Sequence, residues 1–142
     1  MLTLHIVAGV GLLGDVAAIL AINVRAATTS DPQLAASAYE LLTIFPVLFG
    51  IPLSMTSLAT GLVLGLGSKW GVLRYRWVTA KLLLNVSVIL VGALLIGPAT
   101  EAMVAGRDGS EAVLIGASAY DVVALLLATG LSVFKPGRRR RP

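Results

Sequence analysis

The sequence predicts an all-α fold: a polytopic membrane four-helix bundle with both termini in the cytoplasm. Three observations carry this. The 142 residues are 57% hydrophobic and only 13% charged, with a mean hydropathy of +0.93, whereas a soluble domain carries about 25% charged residues. The apolar residues gather into four segments, 2–24, 41–66, 77–97 and 113–134. Each is long enough, at ~1.5 Å of rise per residue, to cross a ~30 Å hydrocarbon core as a helix. The basic residues are one-sided. Lys69, Arg74, Arg76, Lys135 and Arg138 to Arg141 fall on one side of the membrane, against Arg25 and Arg107 on the other. The positive-inside rule then places both ends and the middle loop in the cytoplasm.

In lipid every backbone N–H and C=O must be satisfied within the segment, so each span is expected to be helical despite its valine and isoleucine content. The first span contains "GVGLLG", in which Gly9, Gly11 and Gly14 match G-x-G-x-x-G, with Asp31 further along. A dinucleotide site needs a strand before these glycines and a second βαβ unit to complete the sheet. Here apolar sequence continues through the motif, so the glycines read as small residues that let another helix approach. The lack of a basic start, together with Asp15 in mid-segment, argues against a cleaved signal peptide.

Helix 1 is expected to end near Asn23 or Arg25. Ser30 or Asp31 is placed to cap the next helix, with Pro32 in its first turn. That helix can start at Pro32, outside the membrane, and run to about Leu66. Pro46 and Pro52 each remove a backbone bond from it. A kink is expected there, with Thr43 or Ser54 satisfying the freed carbonyls. Gly50, Ser54, Ser57, Gly61 and Gly65 repeat at helical spacing and predict a face for close packing. Trp70, Tyr75 and Trp77 fit an interfacial belt in the basic middle loop, so its basic–aromatic mix suits lipid headgroups and not nucleic acid. Gly97 and Pro98 are expected to stop helix 3, and Ser110 to cap helix 4. Residues 1–134 form one transmembrane domain on this reading, and 135–142 a basic cytoplasmic tail against lipid phosphates.

Ionisable groups inside a span are costly, so each is a functional candidate. His5 lies toward the cytoplasmic end of helix 1, and Lys81 lies one to two turns into helix 3 from the same side. Asp15 and Asp121 both fall near mid-membrane. Two carboxylates at one depth can share a proton, which makes them a candidate proton relay. In the structural alternative each bonds to a neighbour's polar group, with Asn85, Ser87 and Ser118 available. Lys81 and Asn85, four residues apart, share a face. Lys81 either reaches His5 or a ligand's carboxylate, or extends to the surface. His5 either ligates a metal or haem iron through a neutral ring nitrogen or is a hydrogen-bonded interfacial residue. The absence of cysteine excludes disulfides and thiolate chemistry.

"LHIVAGVGLLG" in helix 1 and "RYRWVTAKLLL" at the start of helix 3 resemble a family of small four-helix bacterial membrane proteins. That family is distantly similar to the CopD-type copper-resistance proteins and the HemJ-type protoporphyrinogen oxidases. The resemblance implies that His5 matches a helix-1 histidine of the HemJ-type group and that Trp77 and Lys81 match its W-x-x-K or W-x-x-x-K motif. It implies haem on His5, with Lys81 and Trp77 near a ligand or the haem propionates; Asn85, on the face of Lys81, is a candidate for the same contact. The tyrosine- and arginine-rich end of the first HemJ-type helix is not seen here. One histidine and three methionines, Met1, Met55 and Met103, are few ligands for copper.

The expectation is therefore a multi-pass protein of the bacterial cytoplasmic (inner) membrane. It packs with itself or a membrane partner and handles protons or a small ligand. The alternative is a haem-binding oxidoreductase.

Overall fold

The structure, a computed structural model, describes residues 1–67, 75–107 and 109–134. These residues are helical apart from the short connections: α1 (Leu2–Thr28), α2 (Pro32–Leu42), α3 (Ile51–Gly67), α4 (Arg76–Val91), α5 (Gly97–Val104) and α6 (Glu111–Phe134). Two π-helical stretches, Pro46–Gly50 and Gly92–Ile96, join α2 to α3 and α4 to α5. Four helical units are long and apolar enough to cross a membrane: Leu2–Thr28, Pro32–Gly67, Arg76–Val104 and Glu111–Phe134. Lys69, Trp70, Arg74 and the tail from Lys135 lie outside the described residues.

The second unit starts where its capping chemistry allows. The Asp31 carboxylate accepts from the N–H groups of Gln33 (2.9 Å) and Leu34 (3.3 Å), and Pro32 occupies the first helical position, where no donor is required. α1 runs past Arg25 to Thr28, whose hydroxyl donates to the Val24 carbonyl at 2.8 Å.

Both prolines are absorbed by a change of hydrogen-bond spacing. After α2 the chain tightens, with Thr43 N–H on the Glu40 carbonyl and Ile44 N–H on that of Leu41. It then loosens, with Ile51 N–H on the Pro46 carbonyl, five residues back. Thr43 and Ser54 do bond backbone carbonyls, those of Glu40 (2.7 Å) and Ile51 (3.1 Å). Neither takes the carbonyl four residues before a proline.

The third unit corrects the expected stop at Gly97 and Pro98. Gly97 N–H bonds the Gly92 carbonyl, a π-type turn, and the helix continues with Pro98 in the first turn of α5. Pro98 needs no donor there, so the chain stays helical to Val104. Ser110 precedes α6, and its carbonyl accepts from Leu114 N–H at 3.0 Å.

α1 packs on α2, α3 and α6; α4 packs on α3 and α6. Two apolar clusters fill the interior. One joins Ile19, Ala26, Tyr39, Leu42, Ile96, Ala99, Leu114 and Ala117. The other joins Leu12, Val16, Val88, Ala124 and Leu125. The distribution of polarity is the reverse of that in a soluble protein. Leu66, Leu83, Leu94, Val10 and Val47 are exposed, while Asp15, Asn23, Ser54, Ser57, Thr60, Thr100, Ser118 and Asp121 are buried. A surface of this kind suits hydrocarbon, and its polar groups face neighbouring helices.

Candidate functional site

Several of the buried polar groups form a seam along α1: Asp15 and Asn23 on the helix itself, Ser57 and Thr60 against His5, and Ser118 against Asn23. At the His5 end, the His5 ring sits on α3. Its Nδ1 is 3.1 Å from the Ser57 carbonyl and 3.0 Å from the Thr60 hydroxyl. Nδ1 as the protonated nitrogen donates to the carbonyl, and the Thr60 hydroxyl is itself bonded to the Thr56 carbonyl (2.5 Å). Glycine makes this docking fit. A Cβ on Gly61 would stand 3.1 Å from His5 Cε1, so the ring occupies the volume of the absent side chain.

Asn85 of α4 joins this layer by donating to the Ser57 hydroxyl at 3.1 Å. Lys81, one turn earlier on α4, lies within electrostatic reach of His5. The structure thus brings His5, Lys81 and Asn85 together at one end, with Trp77 half-buried one turn before Lys81. Ser57, Thr60 and Gly61 belong to the same layer. The signal of Ser57 and Gly61 in the sequence was the small-residue spacing of α3, which speaks of packing and not of a histidine partner; Thr60 carried none.

Asp15 lies ten residues, or about 15 Å, further along α1. It is 8% exposed, and neither carboxylate oxygen has a hydrogen-bond partner. It faces a second glycine of the second span: a Cβ on Gly50 would lie 3.5 Å from Asp15 Oδ2. α1 and the second span are thus antiparallel, with His5 on Gly61 and Asp15 on Gly50. The motif glycines of α1 divide. Gly11 lets Leu53 approach, to 3.3 Å of a Cβ position, whereas Gly9 and Gly14 face open space.

Asp121 of α6 is 2% exposed, and its Oδ1 has no partner. It lies between Ala117, which shares a cluster with Ile96, and Ala124, which shares one with Val88. This places it at the level of the turn where α4 gives way to the π-helical stretch. One turn away, Asn23 of α1 donates to the Ser118 hydroxyl (3.1 Å), which donates to the Leu114 carbonyl (2.6 Å). Asn23 Oδ1 is left without a partner. The seam missed from the sequence includes Asn23, because an amide near a helix end reads as an interfacial residue.

The two carboxylates do not share a hydrogen bond, since both Asp15 oxygens are unpartnered. The reason is helical phase. Leu12, Val16, Ile19 and Asn23 form the ridge of α1 that meets α6, and Asp15 is on its flank, turned to the second span. Asn85, Ser87 and Ser118 also have other partners: Asn85 bonds Ser57, Ser87 accepts from Tyr120 Oη at 2.8 Å, and Ser118 accepts from Asn23.

His5 presents a fit test for haem. With Nδ1 donating to a carbonyl, Nε2 would be the nitrogen left able to ligate, the tautomer used by metal-bound histidines. Among the described residues no group of three or more His, Cys, Asp or Glu side chains is placed to hold a metal ion. Comparison with known proteins finds no match among family models, curated proteins or solved structures.

Proposed function

We propose that the chain is a non-enzymatic four-helix bundle of the bacterial cytoplasmic membrane, both termini cytoplasmic, that conducts protons along the seam on α1. One observation carries this. Among the described residues the buried side-chain atoms without partners are Asp15 Oδ1 and Oδ2, Asn23 Oδ1, Asn85 Oδ1 and Asp121 Oδ1. All are oxygen acceptors. A buried acceptor left unsatisfied costs roughly 1–3 kcal/mol; a proton or a bridging water supplies what the carboxylates lack, and a bridging water what the amide oxygens lack. From His5 to Asn23 the seam covers 18 residues of α1, about 27 Å, close to the hydrocarbon thickness. Steps of 12–15 Å along α1 exceed one hydrogen bond, so bridging waters complete the relay on this reading.

The test is proton flux into liposomes holding the purified full chain. The wild type is expected to acidify the lumen above protein-free liposomes, and Asp15→Asn and Asp121→Asn each to lower the rate about tenfold or more, the usual weight of one positioned acid–base group. Near-zero flux in the wild type, or equal flux in all three proteins, overturns the proposal.

A second reading, the haem-binding oxidoreductase implied by the HemJ-type resemblance, is favoured by the His5 geometry alone. Its Nδ1–carbonyl contact would leave Nε2 to hold an iron, and Lys81 would be the residue to pair with a propionate. A visible spectrum after haem supplementation decides it. The reading requires a Soret band that His5→Ala abolishes, and a colourless wild-type protein ends it.

A further inference from the structure

We infer that Asp15 forms the floor of a binding groove for a hydrophobic organic cation that enters from the bilayer. The groove, about 300 Å³, runs between α1 and the second span and is lined by Gly11, Gly14, Asp15, Ala18, Phe45, Phe49 and Leu53. Its volume is at the lower end of small-molecule sites. Three features fix the occupant.

The first is charge. The only ionisable group in the lining is a carboxylate, nine-tenths buried, with both oxygens unpartnered. In low dielectric it attracts a cation strongly and repels an anion. The second is the wall. Phe45 and Phe49 stand with centroids 5.8 Å apart and planes tilted by 60°. Ring faces favour cations with weakly hydrated, greasy bodies. A bare metal ion is disfavoured, because hard cations take six or more oxygen ligands and this lining offers one carboxylate. The third is the opening. Gly14 and Phe49 are exposed within spans that face lipid. The missing side chain at Gly14 keeps the way to Asp15 clear, with nothing within 4 Å of a Gly14 Cβ, while Leu53 closes over Gly11.

The inference rests on the reading of Asp15 as an ion-handling group and names a second ion it takes. A cation seated on the carboxylate displaces the proton from it, so the two compete for one group.

The probe is benzyltrimethylammonium, with its neutral carbon isostere neopentylbenzene as control, titrated calorimetrically into detergent-solubilised full-length protein. The wild type is expected to bind the cation saturably, and Asp15→Asn to weaken binding about tenfold or more, the loss of one low-dielectric charge pair. Phe49→Ala, which leaves the carboxylate in place, is expected to weaken it severalfold. Asp121→Asn, outside the groove, leaves binding unchanged. The neutral isostere is expected to show no dependence on Asp15. No saturable binding to a wild type of native helicity, or equal affinity in wild type and Asp15→Asn, overturns the inference. Proton flux that needs Asp15 without cation binding leaves the proton reading standing and removes this one; binding without flux does the reverse.

Discussion

Asp121→Val is expected to stabilise the protein by about 1–3 kcal/mol while abolishing proton flux. Asp121 is 2% exposed between two apolar clusters, with Oδ1 unpartnered. One turn further along α6, Ala124 and Leu125 belong to an apolar cluster, and one turn back Ala117 belongs to the other. Valine is close to aspartate in size and removes the desolvated group without leaving a large cavity. A residue kept for transport at the expense of stability shows this opposition of sign. Unfolding of the reconstituted protein by denaturant measures it. A destabilised variant would mean that Asp121 is a structural group whose bonding is better satisfied than its geometry indicates.

Gly61→Ala is expected to cost about 1–3 kcal/mol, the range for overfilling a packed site. Its Cβ would stand 3.1 Å from His5 Cε1. The ring has little freedom to yield, since its Nδ1 is held by the Ser57 carbonyl and the Thr60 hydroxyl. Moving the ring gives up both contacts and loosens α1 from α3. Gly116→Ala is the matched control. Gly116 lies within α6 with nothing near its Cβ position, so alanine there is expected to gain about 0.5–1 kcal/mol from helix propensity. Equal effects at the two glycines would remove the docking argument.

The spans were legible because length and apolarity are properties of a segment by itself. Asp31 with Pro32 was legible for the same reason: a cap is local. The continuation through Pro98 was not. A proline reads as a stop unless the turn before it loosens, and that loosening at Gly92–Ile96 leaves no mark in residue type. Which helix meets which was also hidden. His5 and Asp15 were identifiable as costly groups in lipid, but Gly61 and Gly50 as their seats depend on the antiparallel register of two helices. Asp15 and Asp121 were expected at one level from their positions in their spans, but the Asn23–Ser118 bond sets Asp121 about a turn nearer the Asn23 end of α1 than Asp15. Their facing was not legible, because it depends on which flank of α1 the second span takes. Phe45 and Phe49 carried no signal beyond apolarity; only the fold puts them with Asp15 in the lining of one groove.

The account stands on four crossings that enclose this seam, and the absence of native cysteine makes it directly testable. Single cysteines at Thr3, Ser30, Gly67 and Ser110 are to be probed in intact cells with a membrane-impermeant maleimide, then again after permeabilisation. Labelling of Ser30→Cys and Ser110→Cys from outside, with Thr3→Cys and Gly67→Cys reached only after permeabilisation, is the predicted result. Labelling of Ser30→Cys and Ser110→Cys from opposite sides, or of all four from one side, contradicts it.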